Sequence, residues 1–189
     1  MNARRIVFHA DDLGMNPAVD DGIVQCFERG LLTSTSVMAN GPTAASGLER
    51  VRNLSEAWRQ SAFDPAALRL AAGDPRQPLD LGVHLNLTQG RPLTGDRYPA
   101  ALLDAEGRFP GAGRLFASLL PIGGRMRAAI ENEFAAQVAF VFDHGVHPTH
   151  LNGHQYIELF PHVRGAVLHV CRRFGIRVVR VALERDLAA

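Results

Sequence analysis

Residues 79–87 read LDLGVHLNL. Leu81, Val83, Leu85 and Leu87 fall on one face of an extended chain, and Gly82, His84 and Asn86 on the other. The alternation predicts a β-strand over Leu79–Leu87 with a histidine on its polar face. Upstream, Arg4–Ala10 (RRIVFHA) is a β-branched run that ends at Asp11 and Asp12, and it reads as a first strand. Asn16-Pro17 then supplies a helix N-cap and a first-turn proline. Ile23, Val24 and Phe27 give that helix an apolar stripe, and Gly30 closes it. Thr33–Ala39 (TSTSVMA) reads as a second strand and Pro42–Leu54 as a second helix. Residues 55–78, rich in Ala and turn signals, read as an irregular helical excursion.

Downstream, residues 88–113 hold five Gly and three Pro and predict a long loop, of a length that in a compact domain is usually functional. Gly124–His144 is a helix with Met126, Ile130, Phe134, Val138 and Val141 on one side and Gly145 beyond its end. A short strand, Thr149–Asn152, leads into Gly153-His154. Pro161 opens another helix that stops at Gly175, and Ile176–Leu183 is a final strand. The order β-α-β-α-β-loop-α-β-α-β implies an α/β fold of parallel strands with right-handed crossovers, as an open sheet or a barrel. In both, ligands sit at the carboxyl ends of the strands. The clusters HADD, GVHLN and THLNGH all fall at such ends.

The 189 residues are 47% hydrophobic and 21% charged, with a net charge of +1, which fits one globular domain over 1–189 and excludes disorder and coiled coil. Charge is not blocked, so nothing points to an electrostatic binder of nucleic acid or membrane surfaces. All 20 basic residues are Arg, beside 26 Ala, which a bias in genome composition explains. Cys26 and Cys171 lie in helical segments and read as free thiols of a reducing compartment, with one disulfide as the alternative. The opening MNARRIVFHADD turns acidic too soon for a signal peptide, and no apolar run approaches a membrane span. A cytoplasmic location is therefore expected.

Four of the eight histidines lie between 144 and 154. A divalent ion needs neutral imidazole nitrogens and a carboxylate from separate elements, with one position open to water. Asp12, His84 and His154 supply two imidazoles and one carboxylate, and Asp11 would stay unligated as a base. Each has an ordinary alternative. Asp11-Asp12 could cap the turn into the next helix, His84 could be a hydrogen-bonded strand histidine, and His144 suits a helix C-terminus. His147, His162 and His169 read as surface or packing residues. His150 shares a strand face with Asn152 and reads as a ligand or as a group orienting one. The coincidence at three strand ends favours one shared site.

HADDLG at 9–14 with Asn16, LLTSTSVMANG at 31–41, LGVHLNLTQGRPL at 81–93, DAEGRF at 104–109 and PTHLNGHQ at 148–155 occur in this order. The set resembles the YdjC-like carbohydrate deacetylase family, of ChbG and HpnK type, from about Arg4 to Val181. The resemblance implies a distorted (β/α) barrel related to polysaccharide deacetylases, carrying one divalent metal. Asp12, His84 and His154 match the family's metal ligands, and Asp11 its proposed catalytic base. The implied enzyme hydrolyses the N-acetyl group of an amino sugar and releases acetate. Its substrate would be a chitooligosaccharide such as diacetylchitobiose or a glucosaminyl lipid. The ligand types favour Zn²⁺, with Mg²⁺ the family alternative.

Several departures accompany the likeness. Family members continue through further strands, one with a Cys-His-Pro-like motif whose His is the candidate general acid, and that segment is not in these residues. Asn152 stands where Asp is frequent, Tyr156 and Glu158 where histidines are frequent, and His9 where Asn is frequent. The expectations that follow are a barrel incomplete at its C-terminus and weak or absent deacetylation by this chain. An open edge would pair with a second copy, as a homodimer, or belong to a longer protein. His150, Asn152, Asn86 and Arg180 are expected near substrate or behind the ligands, with an Arg180–Asp11 ion pair the plainer reading. Tyr98, Phe109 and Phe116 could stack on sugar rings or serve the core. Two rival readings remain: a metal hydrolase of another amide, ester or phosphoester, and an inactive carbohydrate-binding or interaction module on the same fold.

Overall fold

A computed structural model describes residues 7–60, 80–118 and 124–180. Its strands are β1 (His9–Leu13), β2 (Ser34–Val37), β3 (Asp80–Leu85), β4 (His150–Gly153) and β5 (Val178–Val179). All pair in parallel, in the order β1-β2-β3-β4-β5. Each crossover therefore advances one strand in the same direction. Right-handed connections of that kind put the helices on one face and leave the other as an inner surface, unlike a doubly wound sheet. The expected α/β architecture with parallel strands is present. The sheet is an unclosed arc, since β1 and β5 each pair with one neighbour among the described residues.

The helices are α1 (Pro17–Glu28), α2 (Ala44–Gln60), α3 (Ala112–Ser118), α4 (Gly124–Asp143) and α5 (Pro161–Phe174). Asn16 caps α1 by accepting from the Val19 N–H at 3.0 Å, and Gly175, at φ 70°, ends α5 in the left-handed conformation. Leu81, Val83, Leu85 and Leu151 of the sheet pack into one buried cluster with Phe27, Leu48, Ile130, Phe134 and Val167 of the helices. Removing each such side chain from water stabilises by about 1.5–3 kcal/mol.

Several boundaries differ from the sequence reading. β1 starts at His9 and runs through both aspartates to Leu13; of the expected strand, residues 4–6 lie outside the described residues. α2 continues past Leu54 to Gln60, so the start of the expected irregular stretch is helix, and residues 61–78 lie outside the described residues. β4 sits one residue later than expected. β5 is two residues long, and 181–183 lie outside the described residues. The long loop contains 3₁₀ turns at Gly95–Arg97 and Ala100–Leu102, and α3 begins inside its expected end.

That loop is fastened by α4. Glu133, fully buried, accepts from Leu93 N at 3.0 Å, Thr94 N at 2.9 Å, Thr94 Oγ1 at 2.7 Å and Gln137 Nε2 at 2.9 Å. Gln137 also brackets the Asn86 backbone, donating to its carbonyl at 2.8 Å and accepting from its N–H at 2.9 Å. A buried carboxylate is tolerated here because donors surround it. Among the described residues no helix is long and apolar enough to cross a membrane. Cys26 and Cys171 are free, the first half-buried and the second buried.

Candidate metal centre

On β1, His9 stands opposite Ser34 and Ala10 opposite Thr35, but Leu13 stands opposite Val37, so three steps on β1 match two on β2. The extra residue is a β-bulge, and Asp12 takes it up at φ 70°, a left-handed conformation that aspartate tolerates better than most residues. Adjacent residues of a regular strand point to opposite faces. The bulge instead turns both Asp11 and Asp12 to the inner surface.

Asp12 there meets His84 of β3 and His154, the residue after β4. Asp12 Oδ1 lies 2.9 Å from His154 Nδ1 and 3.1 Å from His84 Nε2, and the two ring nitrogens are 3.3 Å apart. One ligand atom from each of the three lies within 4.8 Å of the others. Ligand atoms of a tetrahedral site with bonds of about 2.0–2.2 Å stand roughly 3.3–3.6 Å apart, so the triangle is slightly tight.

Asn152 decides the chemistry of this triangle. Its Nδ2 donates to Asp11 Oδ1 at 2.8 Å, so its Oδ1 is the atom 2.8 Å from His84 Nδ1, which must then carry the hydrogen. In the neutral ring Nε2 is a lone pair, aimed at a carboxylate oxygen. Two acceptors at that distance repel unless a cation lies between them. The donor set and the fixed tautomer thus fit a divalent metal ion.

Asp11 lies beside the triangle and outside it. Oδ1 accepts from Asn152 and lies 3.0 Å from His9 Nε2 and 3.2 Å from Ser36 Oγ, and Oδ2 accepts from Arg180 Nη2 at 2.8 Å. Burial pushes this carboxyl up, but the bonds from His9 and Arg180 win and hold it well below the usual range. It is therefore an ionised acceptor next to the place where three ligand atoms converge.

The other expected residues separate. Asn152 and Arg180 reach the site, as described. His150 lies one step further down the inner face: its Nδ1 is 2.9 Å from Thr149 Oγ1, its Nε2 is buried without a partner, and its ring lies over Gly82. It is not part of the triangle. Asn86 organises the loop, accepting from Thr88 N at 2.9 Å and Gln89 N at 3.1 Å and donating to Asn40 Oδ1 at 2.9 Å. Tyr98 and Phe109 are buried edge-to-face against each other, ring centres 5.4 Å apart, in the core rather than on a sugar-binding surface; the side chain of Phe116 lies outside the described residues.

The sequence reading did not single out Ser34, Ser36, Asp80 or Thr149, and treated His9 and Glu158 only as departures. The TSTS alternation of β2 was the available signal, since it sets two small hydroxyls on one strand face. Gln155 and Tyr156, at φ 55° and 57°, turn the chain after His154, at a cost of about 1–3 kcal/mol each. That turn returns Glu158 under Gly153, where a Cβ would lie 2.0 Å from Glu158 Oε2. Glu158 is 4% exposed and both its oxygens are buried without hydrogen-bond partners.

Comparison with known proteins places this geometry in context. A family model described as YdjC-like protein matches residues 5–189. A curated mouse protein (Mus musculus) named carbohydrate deacetylase is 32% identical over 187 residues, covering 98% of this chain and 53% of its own. One of the same name from Geobacillus stearothermophilus is 32% identical over 186 residues, covering 97% of this chain and 63% of its own. The chain thus spans between half and two thirds of the length of these relatives. A solved structure from Enterococcus faecalis V583, whose name speaks of cellobiose-phosphate cleavage, superposes with a TM-score of 0.71 at 21% identity, covering 95% of this chain and 60% of that one. That likeness is one of fold.

Proposed function

The chain belongs to the YdjC-like protein family, and from that premise we propose that the protein is a metal-dependent hydrolase that removes the N-acetyl group from an amino sugar and releases acetate. The observation that carries the reading is the convergence of Asp12, His84 and His154 beside an unligated, ionised Asp11. Relatives named carbohydrate deacetylase, 32% identical over almost the whole of this chain, support it. Asp12, His84 and His154 would hold the ion. Two imidazoles and one carboxylate suit Zn²⁺ better than Mg²⁺.

A divalent ion, when bound, polarises an acyl carbonyl and lowers the pKa of water. The chain's own residues do the rest. Asn152 keeps the hydrogen of His84 on Nδ1 and so keeps Nε2 a donor to the ion. Asp11 accepts the proton of the attacking water, an act for which a carboxylate held ionised is ready. Arg180 fixes its Oδ2, and Asn152 and His9 fix its Oδ1, so its lone pairs do not wander. The departing sugar nitrogen must gain a proton before it leaves.

The test separates attack from departure. An aryl acetate loses a phenolate that needs no proton, and diacetylchitobiose requires both steps. Acetate release from the ester is expected to depend on added metal and to fall at least about 100-fold in Asp11→Asn, with bound metal unchanged. Release from diacetylchitobiose should fall with it. Undiminished hydrolysis in Asp11→Asn, or faster turnover of a generic phosphodiester than of either acetyl compound, overturns the reading.

A further inference from the structure

Beyond the carboxyl ends of β1, β2 and β3 lies a cavity of about 250 Å³, with Met15, Asn40, Pro42, Gln89 and Arg108 in its lining. It adjoins the metal centre through the backbone. Met15 follows β1, and its N–H donates to the carbonyl of Asp12 at 3.0 Å. Asn86, two residues after His84, donates to the Gln89 carbonyl at 2.7 Å. Asn40, in the turn after β2, clamps the same loop by donating to the carbonyls of Gln89 at 2.9 Å and Arg91 at 3.0 Å. The walls of the cavity are therefore tied to the segments that carry the ligands.

The DAEGRF stretch at 104–109 supplies the remaining wall. Asp104 Oδ1 accepts from Glu106 N at 3.0 Å and Arg108 N at 2.7 Å, and Asp104 N donates to the Arg108 carbonyl at 2.8 Å. Gly107, at φ 70°, turns the chain, and Phe109 N donates to the Gly90 carbonyl at 2.8 Å. The stretch thus closes on itself and docks on the loop after β3 through backbone atoms, with the side chain of Arg108 exposed at the cavity. Among the described residues no hydrogen bond or ion pair engages its guanidinium or the side-chain amide of Gln89, and no acidic residue is in the lining. Met15 and Pro42 add apolar surface. Apolar surface with a few uncommitted polar groups is the makeup of a small-molecule site. A pyranose ring matches it, with C–H faces for the apolar side and hydroxyl oxygens that accept from a guanidinium and an amide. Pockets that enclose drug-sized ligands run to roughly 300–1,000 Å³, so this one holds a single ring rather than a chain.

We infer that Arg108, with Gln89, is a specificity-determining residue that binds the second ring of a disaccharide whose first ring presents its acetamide to the metal centre. The inference rests on the reading of the protein as an amino-sugar deacetylase, and it concerns the part of the substrate that lies away from the reacting bond. A single N-acetylglucosamine ring occupies the metal centre and gains nothing from Arg108. Diacetylchitobiose fills both places, so the preference for two rings over one is set at the cavity.

Competitive inhibition of aryl acetate hydrolysis tests this on the metal-loaded whole chain, with N-acetylglucosamine and diacetylchitobiose as the inhibitors. In wild type the disaccharide should bind more tightly than the single ring. Arg108→Met keeps an extended side chain and every backbone bond of the turn but removes the donors. It should raise the inhibition constant of diacetylchitobiose about 10–100-fold. The constant for N-acetylglucosamine, and kcat and KM for the aryl acetate, should stay as they are. Arg108→Lys, a point charge in place of a fork, should fall between the two. An active Arg108→Met with an unchanged constant for the disaccharide, or with an equal loss for both sugars, overturns the inference alone. A metal-loaded wild type that hydrolyses no acetyl compound, or that neither sugar inhibits, overturns the functional reading and the inference with it.

Discussion

Glu158 places a buried carboxyl in a seat that only the missing side chain of Gly153 leaves open, and neither of its oxygens meets a donor. Burial raises its pKa above the ordinary 4.5, opposed in part by the charge of Arg180. A carboxyl raised on folding holds its proton in the folded state at pH values where the unfolded chain has lost it. The stability it contributes is therefore complete below about pH 4.5 and is lost as the pH climbs toward the folded value. Glu158→Gln carries no such charge. Its stability relative to wild type is expected to be near zero at pH 4 and to grow by at most about 1.4 kcal/mol per pH unit above that, read from urea midpoints at pH 4 and pH 8. The same difference at both pH values would show that ionisation has no part in it. Single residues of this site were unevenly legible in the sequence. Aspartate and histidine announce themselves as ligand types, so Asp12, His84 and His154 stood out. The orphan state of Glu158 and the shared face of Asp11 and Asp12 did not, because both depend on backbone turns, a bulge in one case and two left-handed residues in the other.

At the scale of elements, the strand LDLGVHLNL was plain from its alternation, yet the alternation misleads about environment. A polar face normally meets water, whereas here His84 is 2% exposed and Asn86 fully buried, because the polar face is the inner one. Gly82 shows what that interior demands. A Cβ at this position would lie 2.4 Å from His150 Nε2 and 2.6 Å from Cε1, inside the ring's own space, while Thr149 Oγ1 holds Nδ1 at 2.9 Å. The ring cannot stay and cannot swing freely. Gly82→Ala is thus expected to lower stability by about 1–3 kcal/mol, the ordinary cost of overpacking. In a Gly82→Ala, His150→Ala double variant the added methyl should cost almost nothing relative to His150→Ala alone. Urea denaturation of the four proteins in this cycle measures the coupling, and additive losses would mean that the ring is not the obstacle. The hold of α4 on the long loop was hidden for a related reason: Glu133 and Gln137, one helical turn apart, are polar residues on a side that periodicity assigns to the apolar core.

For the whole molecule, the β-α order in the sequence implied parallel strands with function at their carboxyl ends, a consequence of crossover handedness that needs no knowledge of side-chain contacts. Among the described residues the strands follow one another in sequential order as an unclosed parallel sheet. That order has an energetic corollary. Asp12, His84 and His154 come from β1, β3 and the turn after β4, so an ion held by all three ties together segments that are distant along the chain and meet only when the sheet is assembled. Binding to the folded state alone stabilises by about 2.7 kcal/mol at a hundred times the dissociation constant. For a chain of this size that corresponds to a rise in Tm of roughly 5–10 °C. Calorimetry after chelator treatment, with and without added Zn²⁺, is expected to show that rise in wild type and in Asp11→Asn, whose carboxylate lies outside the triangle. His84→Ala should abolish it. A Tm indifferent to the ion, or a rise that survives the loss of His84, would mean that the lone pair Asn152 turns toward Asp12 is answered by a proton instead.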